Sequence, residues 1–226
     1  MKKKKILAIT GIRSEYDILS SVFKAIERTP TLELEIIVTG THLSQKHNYS
    51  INEVKKDGFN IVDEIESHTD SDSLESRVQG LGIQIQGISE TVKRSKPDIL
   101  LTLGDREESM ALSLVGSYMN IPIAHISGGD RVIGNVDDQI RHAVSKLSHL
   151  HFVTNKESYE RLIHMGEQKF RVFNVGNPGL DRIVQTPEMT IDILNESLSL
   201  DLSDDEPFVM VIQHVLSSEY KHGFYQ

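Results

Sequence analysis

The sequence predicts an α/β protein built on a Rossmann-like, doubly wound parallel sheet. Short, apolar, β-branched runs alternate with amphipathic helical segments along the chain, the order that builds β-α-β units. Several of these runs are apolar almost throughout, as strands are when helices cover both sheet faces. Polar, glycine-containing turns directly follow the apolar runs, and that is where open parallel sheets place their ligands.

The elements follow in order. The first run, Ile6-Leu7-Ala8-Ile9-Thr10, comes after four lysines. It is too short for a signal sequence, and Gly11-Ile12-Arg13 ends it without a small-residue cleavage pattern, so residues 5–10 read as a strand. Further strands are expected at 33–39, 61–65, 98–103, 121–126, 151–154, 171–175 and 208–213. Helices are expected at 16–28, 74–95, 107–119, 137–148 and 156–165. Residues 185–206 change character: Pro187 precedes a polar helix candidate at 190–200 and an acidic stretch at 201–206. Residues 1–184 are therefore expected to form an N-terminal Rossmann-like domain. Residues 185–226 are expected to be a linker and the beginning of a C-terminal domain that continues beyond them.

Composition narrows the classes of function. The 226 residues carry a formal charge of −9 and include no cysteine. Without thiols there are no disulfides and no thiolate metal sites, in keeping with a cytoplasmic protein. An acidic chain without a basic stripe is a poor nucleic-acid partner. No apolar run reaches the roughly 18 residues that argue for a membrane span. The turn after the first run is not G-x-G-x-x-G, and no P-loop follows any run, which argues against a nicotinamide or P-loop nucleotide site. His142, His149 and His151 form no recognised metal-ligand spacing, so no metal is expected.

Four turns carry the chemistry-bearing residues. Gly104-Asp105-Arg106 ends the run 98–103; Asp105 reads either as a helix cap or as an acid/base carboxylate, with Arg106 beside a phosphate or sugar. Ser127-Gly128-Gly129-Asp130 follows His125 and reads as a flexible turn or as backbone held close to a ligand. Asp137 and Asp138 open the next helix, where they complement its dipole or, with Asp130, form a proton-transfer cluster. Arg141 and His142 fall one helical turn later. Gly11-Ile12-Arg13-Ser14-Glu15-Tyr16 makes a turn and helix start, read as a cap at Ser14 or as an anion site beside Arg13.

Together with Gly40-Thr41-His42-Leu43, Lys96-Pro97-Asp98-Ile99, Val175-Gly176-Asn177-Pro178-Gly179-Leu180-Asp181 and Gln213-His214, these motifs occur in an order that resembles the hydrolysing UDP-N-acetylglucosamine 2-epimerases, in particular the branch serving sialic- and related nonulosonic-acid synthesis. The resemblance covers residues 5–214. It implies the N-terminal half of a GT-B-type architecture, with the active site in the cleft between two Rossmann-like domains and UDP held mainly by the C-terminal one. It also implies a UDP-sugar substrate, no cofactor, a homodimer through the N-terminal domain, and a free C2-epimeric sugar plus UDP as products. Carried onto this chain, the catalytic candidates are Asp105, Asp130, Asp137, Asp138 and His214, and the substrate-binding candidates are Arg13, His42, Arg106 and Arg141. The chain departs from the family where Ser127 replaces a frequent Glu, where Asp130 replaces a frequent Glu, and where Val215 replaces a frequent Pro. With the second domain lacking, the 226-residue chain alone is expected to turn over little or no substrate. The same pattern leaves two other readings open: one half of a GT-B glycosyltransferase, and a non-catalytic binding or assembly module.

Overall fold

The computed structural model describes residues 2–67, 73–133, 136–203 and 207–212. In chain order they form β1 (Lys4–Thr10), α1 (Arg13–Glu27), β2 (Leu32–Thr39), α2 (Ile51–Lys56), β3 (Ile61–Ile65), α3 (Leu74–Ser95), β4 (Ile99–Leu103), α4 (Glu107–Tyr118), β5 (Ile123–Ile126), α5 (Val136–Leu147), β6 (Leu150–Val153), α6 (Lys156–His164), β7 (Val172–Asn174), α7 (Gly179–Gln185) and α8 (Ile191–Leu198). Two short 3-10 turns, Gly40–Leu43 and Gln45–His47, follow β2.

The seven strands lie side by side in the order β3-β2-β1-β4-β5-β6-β7, and every neighbouring pair is parallel. The chain winds outward from β1 to β3, then returns to the other side of β1 for β4 and winds outward again. The reversal puts a topological switch point between β1 and β4, where two strand ends diverge and leave a crevice. The Rossmann-like, doubly wound sheet expected from the sequence is the fold of this chain.

Strand limits follow local chemistry. β5 begins at Ile123 because Pro122 has no N–H to donate to the ladder. Just before β4, the Asp98 carboxylate accepts hydrogen bonds from the Lys4 ammonium (2.8 Å) and the Lys5 backbone N–H (2.9 Å), tying this strand to the start of β1. α2 and α7, of six and seven residues, were not expected from the sequence. Fewer than two turns leave too little periodicity to detect.

Both faces of the sheet are apolar. On one, Ala8, Leu101 and Ile126 meet Tyr16, Leu19 and Phe23 of α1, with Ile51 and Val54 of α2 nearby. On the other, Leu7, Leu100 and Ile123 meet Ile88 and Val92 of α3 and Leu112 and Val115 of α4. Leu7, Leu100, Leu112 and Ile123 are fully buried, each contributing about 1.5–3 kcal/mol relative to exposure. This core fixes the strand ends, and hence the turns that follow them.

The chain divides into two compact units, Met1–Arg182 and Ile183–Gln226. In the second, Thr190 caps α8 by accepting from the Ile193 N–H, and the Asn195 side chain both donates to and accepts from the Leu202 backbone. The strand expected at 208–213 is not formed over its described residues. Phe208, Val209, Met210, Val211 and Ile212 are exposed and pair with no other described strand, and an apolar run without a ladder partner is not a strand. Among the described residues no helix is long and apolar enough to cross a membrane.

Candidate functional site

The polar stretches at 11–16, 40–43, 104–106 and 127–130 lie at the C-terminal ends of β1, β2, β4 and β5. Three of them, together with the start of α5, enclose a cavity of about 350 Å³ lined by Glu15, Asp105, Arg106, Asp130, Asp137 and Arg141, among others. Five expected site residues (Asp105, Arg106, Asp130, Asp137 and Arg141) are thereby brought together from two turns and a helix.

Arg141 organises the carboxylates. Its Nε donates to Asp105 Oδ2 at 3.0 Å, and its Nη2 makes a second, shorter contact with the same oxygen. Its Nη1 lies 3.5 Å from Asp130 Oδ2 and 3.4 Å from the Ser127 carbonyl. The other oxygen of Asp130 accepts from Thr154 (2.7 Å) and Ser158 (2.5 Å). Asp105 is therefore not the cap of the following helix. The cap of α4 is Arg106, which makes no side-chain cap bond. Likewise Ser14 lies inside α1, whose cap position is Ile12.

Asp137 differs from its neighbours. Burial, and then the charge of Asp105, pushes its carboxyl above the ordinary value. A carboxyl with raised proton affinity beside two that are held by cationic and hydroxyl donors is an arrangement that can both accept and deliver a proton.

His125 fixes the Gly104 turn from beneath. Its Nε2 lies 2.7 Å from the Gly104 carbonyl, which can only accept, so Nε2 carries the proton and Nδ1 faces Ser145 Oγ at 3.2 Å. Full burial lowers its pKa to about 3, which keeps the ring neutral. Ser127, at φ 60°, and Gly129, at φ 79°, complete the loop in left-handed backbone. At 129 a side chain would also strike the Ser158 carbonyl at 2.5 Å.

Two buried carboxyl groups went unrecognised as site components in the sequence. Glu15 accepts from the Gly11 N–H at 3.1 Å, and Glu108 of α4 reaches into the same gap, 3.6 Å from Arg106 Nε. Burial and then Glu108 push Glu15 well upward, and burial raises Glu108 while Arg106 opposes that rise. Glutamates in the first turn of a helix look like dipole partners in a sequence. The one available clue is that glycines stand at 11 and 40, where the Glu108 carboxyl needs space.

Other expected residues lie elsewhere. Asp138 turns away from the cavity to accept from the Val132 N–H at 2.9 Å, which, ahead of any other influence, lowers its pKa. His42 is fully buried, its Nε2 3.1 Å from Thr10 Oγ1 and its Nδ1 2.8 Å from Ser50 Oγ; burial lowers its pKa to about 4. Arg13 lines a neighbouring pocket with Thr41 and Ser50 and pairs with Glu53 at 3.4 Å. His214 lies outside the described residues. Among the described residues no cluster of three or more His, Cys, Asp or Glu could hold a metal ion.

Comparison with known proteins places this geometry. The family model described as UDP-N-acetylglucosamine 2-epimerase matches residues 24–222. The chain is 37% identical to a UDP-N,N'-diacetylbacillosamine 2-epimerase (hydrolyzing) of Legionella pneumophila, over 96% of this chain and 56% of that protein. It is 32% identical to a GDP/UDP-N,N'-diacetylbacillosamine 2-epimerase (hydrolyzing) of Campylobacter jejuni, over 98% and 57%. The chain thus spans about half the length of these relatives. Among solved structures, the UDP-GlcNAc 2-epimerase of Neisseria meningitidis bound to UDP-GlcNAc shares the fold with a TM-score of 0.71 at 22% identity, over 80% of this chain and 48% of that one. With the match running through β1's neighbours, the switch-point cavity and beyond, the chain belongs to the UDP-N-acetylglucosamine 2-epimerase family.

Proposed function

We propose that this chain contributes the proton-transfer half of a hydrolysing 2-epimerase acting on a UDP-N-acetylhexosamine, either UDP-GlcNAc or a diacetamido-trideoxy analogue. The observation that carries the reading is the placement of Asp137, with its raised proton affinity, beside Asp105 and Asp130 joined by Arg141. The names of the two relatives favour the diacetamido sugar.

In this reading the Asp105 carboxylate, joined to Asp130 through Arg141, takes the C2 proton while the C1–O bond to UDP breaks, leaving a C1–C2 double bond. Water then adds its oxygen to C1, and Asp137 delivers a proton to C2 from the opposite face and takes up the one that the water gives up. The products are UDP and the free sugar epimeric at C2. Arg106, at the cavity wall, meets the oxygens of the substrate. Turnover is assigned to the complete protein, because this chain spans only 56% and 57% of the relatives that carry this activity in their names.

The test is incubation of the complete protein with each UDP-sugar in D2O, following UDP release and the proton spectrum of the sugar. A free sugar inverted at C2 and carrying one deuterium there is expected. Asp105→Asn and Asp137→Asn should each slow release about 100-fold or more. Full protium at C2, or sugar transferred to an acceptor, would overturn the reading.

A further inference from the structure

We propose that Glu108 is a positioning residue for Arg106: wedged between the turns that follow β1 and β2, its carboxylate holds the guanidinium against the wall of the cavity that contains Asp105 and Asp137. The inference deepens the proposed function and rests on it for the role of the cavity.

Glu108 sits in the first turn of α4, where glutamates ordinarily face solvent. Its side chain is instead 4% exposed. It fits only because positions 11 and 40 have no side chains. A Cβ at residue 11 would overlap the carboxyl, and one at residue 40 would lie 2.7 Å from Oε1. The two glycines and the glutamate come from three separate strand ends, so the wedge is a tertiary construction.

The carboxylate is aimed at Arg106. Glu108 Oε2 and Arg106 Nε are both buried and neither has a hydrogen-bond partner among the described residues, yet they face each other at 3.6 Å. A buried carboxylate and a buried guanidinium N–H each incur a desolvation cost that the opposite charge offsets. The rest of the guanidinium is not enclosed: the Arg106 side chain is 40% exposed and lines the cavity. One end of the group is anchored and the other is offered to a ligand.

The surrounding charges support this division. Glu15, Glu107 and Asp105 all act on Arg106 in addition to Glu108. Glu107 is taken up by Arg77, and Asp105 by Arg141. Burial, and then the charge of Glu108, pushes Glu15 well upward, whereas for Glu108 the facing Arg106 opposes the rise that burial causes.

The test uses the complete protein with 15N-labelled arginine. The Arg106 Nε–H signal is assigned by its loss in Arg106→Lys, and its hydrogen exchange is compared with that of the exposed Arg13. In the wild type the Arg106 proton should exchange about tenfold more slowly. In Glu108→Gln, of equal volume, this protection should be lost, and KM for the UDP-sugar should rise about tenfold while kcat stays within about threefold. Unchanged exchange and KM in a folded Glu108→Gln variant would overturn the proposal. So would a wild-type Arg106 proton exchanging as fast as that of Arg13, a result that needs no variant to fold. Asp105→Asn separates the two readings: full activity in that variant sinks the proposed role of the cavity, whereas the Arg106 exchange reports on Glu108 alone.

Discussion

Arg141 Nε lies 3.0 Å from Asp105 Oδ2, and Nη1 of the same guanidinium lies 3.5 Å from Asp130 Oδ2. One side chain on α5 thus ties the turn after β4 to the turn after β5. Both sides of the Asp105 pair are largely buried, at 13% and 15% exposure, so the pair is shielded from the screening that makes surface ion pairs weak. Arg141→Lys keeps the charge but loses the planar fork. It should lower thermal stability by about 1–2 kcal/mol and slow UDP release by about 100-fold through misplaced carboxylates. Differential scanning calorimetry and a UDP-release assay read the two effects.

Replacing the buried acid Glu15 should stabilise the protein at neutral pH. Its carboxyl takes up a proton more readily folded than unfolded, so the folded state binds more protons and stability falls as pH rises from the unfolded value towards the folded one. Glu15→Gln keeps an acceptor for the Gly11 N–H and removes the charge. Urea unfolding should show the variant more stable than wild type at pH 7, with the advantage vanishing below about pH 4. An advantage independent of pH would contradict the assigned cause.

His125 should behave in the opposite sense. Its folded pKa, lowered by burial to about 3, lies below the unfolded value near 6.5. Its contribution to stability is therefore fully present above the unfolded pKa and is lost as pH falls towards 3. Carbon and nitrogen NMR of the ring should show a neutral, Nε2-protonated imidazole still present at pH 5. Conversion to imidazolium near pH 6.5 in the folded protein would refute this.

Gly11 and Glu108 should show strong non-additivity. Gly11→Ala places a methyl against the Glu108 carboxyl and should cost about 1–3 kcal/mol. In a Glu108→Ala background the atoms nearest to that methyl are gone and the same change should cost less, giving an interaction energy of about 1–2 kcal/mol in a double-mutant cycle measured by chemical unfolding.

Much of this architecture was legible in the residues themselves, because a strand buried on both faces writes its burial into consecutive side chains. Leu100 and Leu101 point to opposite helical layers, and both must be apolar. The turns after β1, β4 and β5 were legible for the same reason, as polar breaks in apolar runs. What escaped was what depends on distance in the fold. Asp105 is next to a helix start, and its cap-like position is overruled by Arg141, 36 residues away. The burial of Glu108 depends on glycines in two other loops. The run at 208–212 has the composition of a strand, and composition cannot supply a neighbour to pair with.

The order in which the strands lie also has a kinetic consequence. β1 is central, yet one of its partners is β4: the Lys5 N–H and the Asp98 carboxyl that meet at the start of these strands are 93 residues apart in the chain. Closing so large a loop precedes any return from the contacts it makes. β1, β2 and β3 can assemble from nearby sequence, whereas the crevice does not exist until the second half of the sheet docks along β1. Glu15 and the residues around it would remain solvated through the early stages of folding. The desolvation cost of the buried acids then falls late, in the step that joins the two halves, and variants that relieve it should speed that step more than they speed the formation of β1–β3.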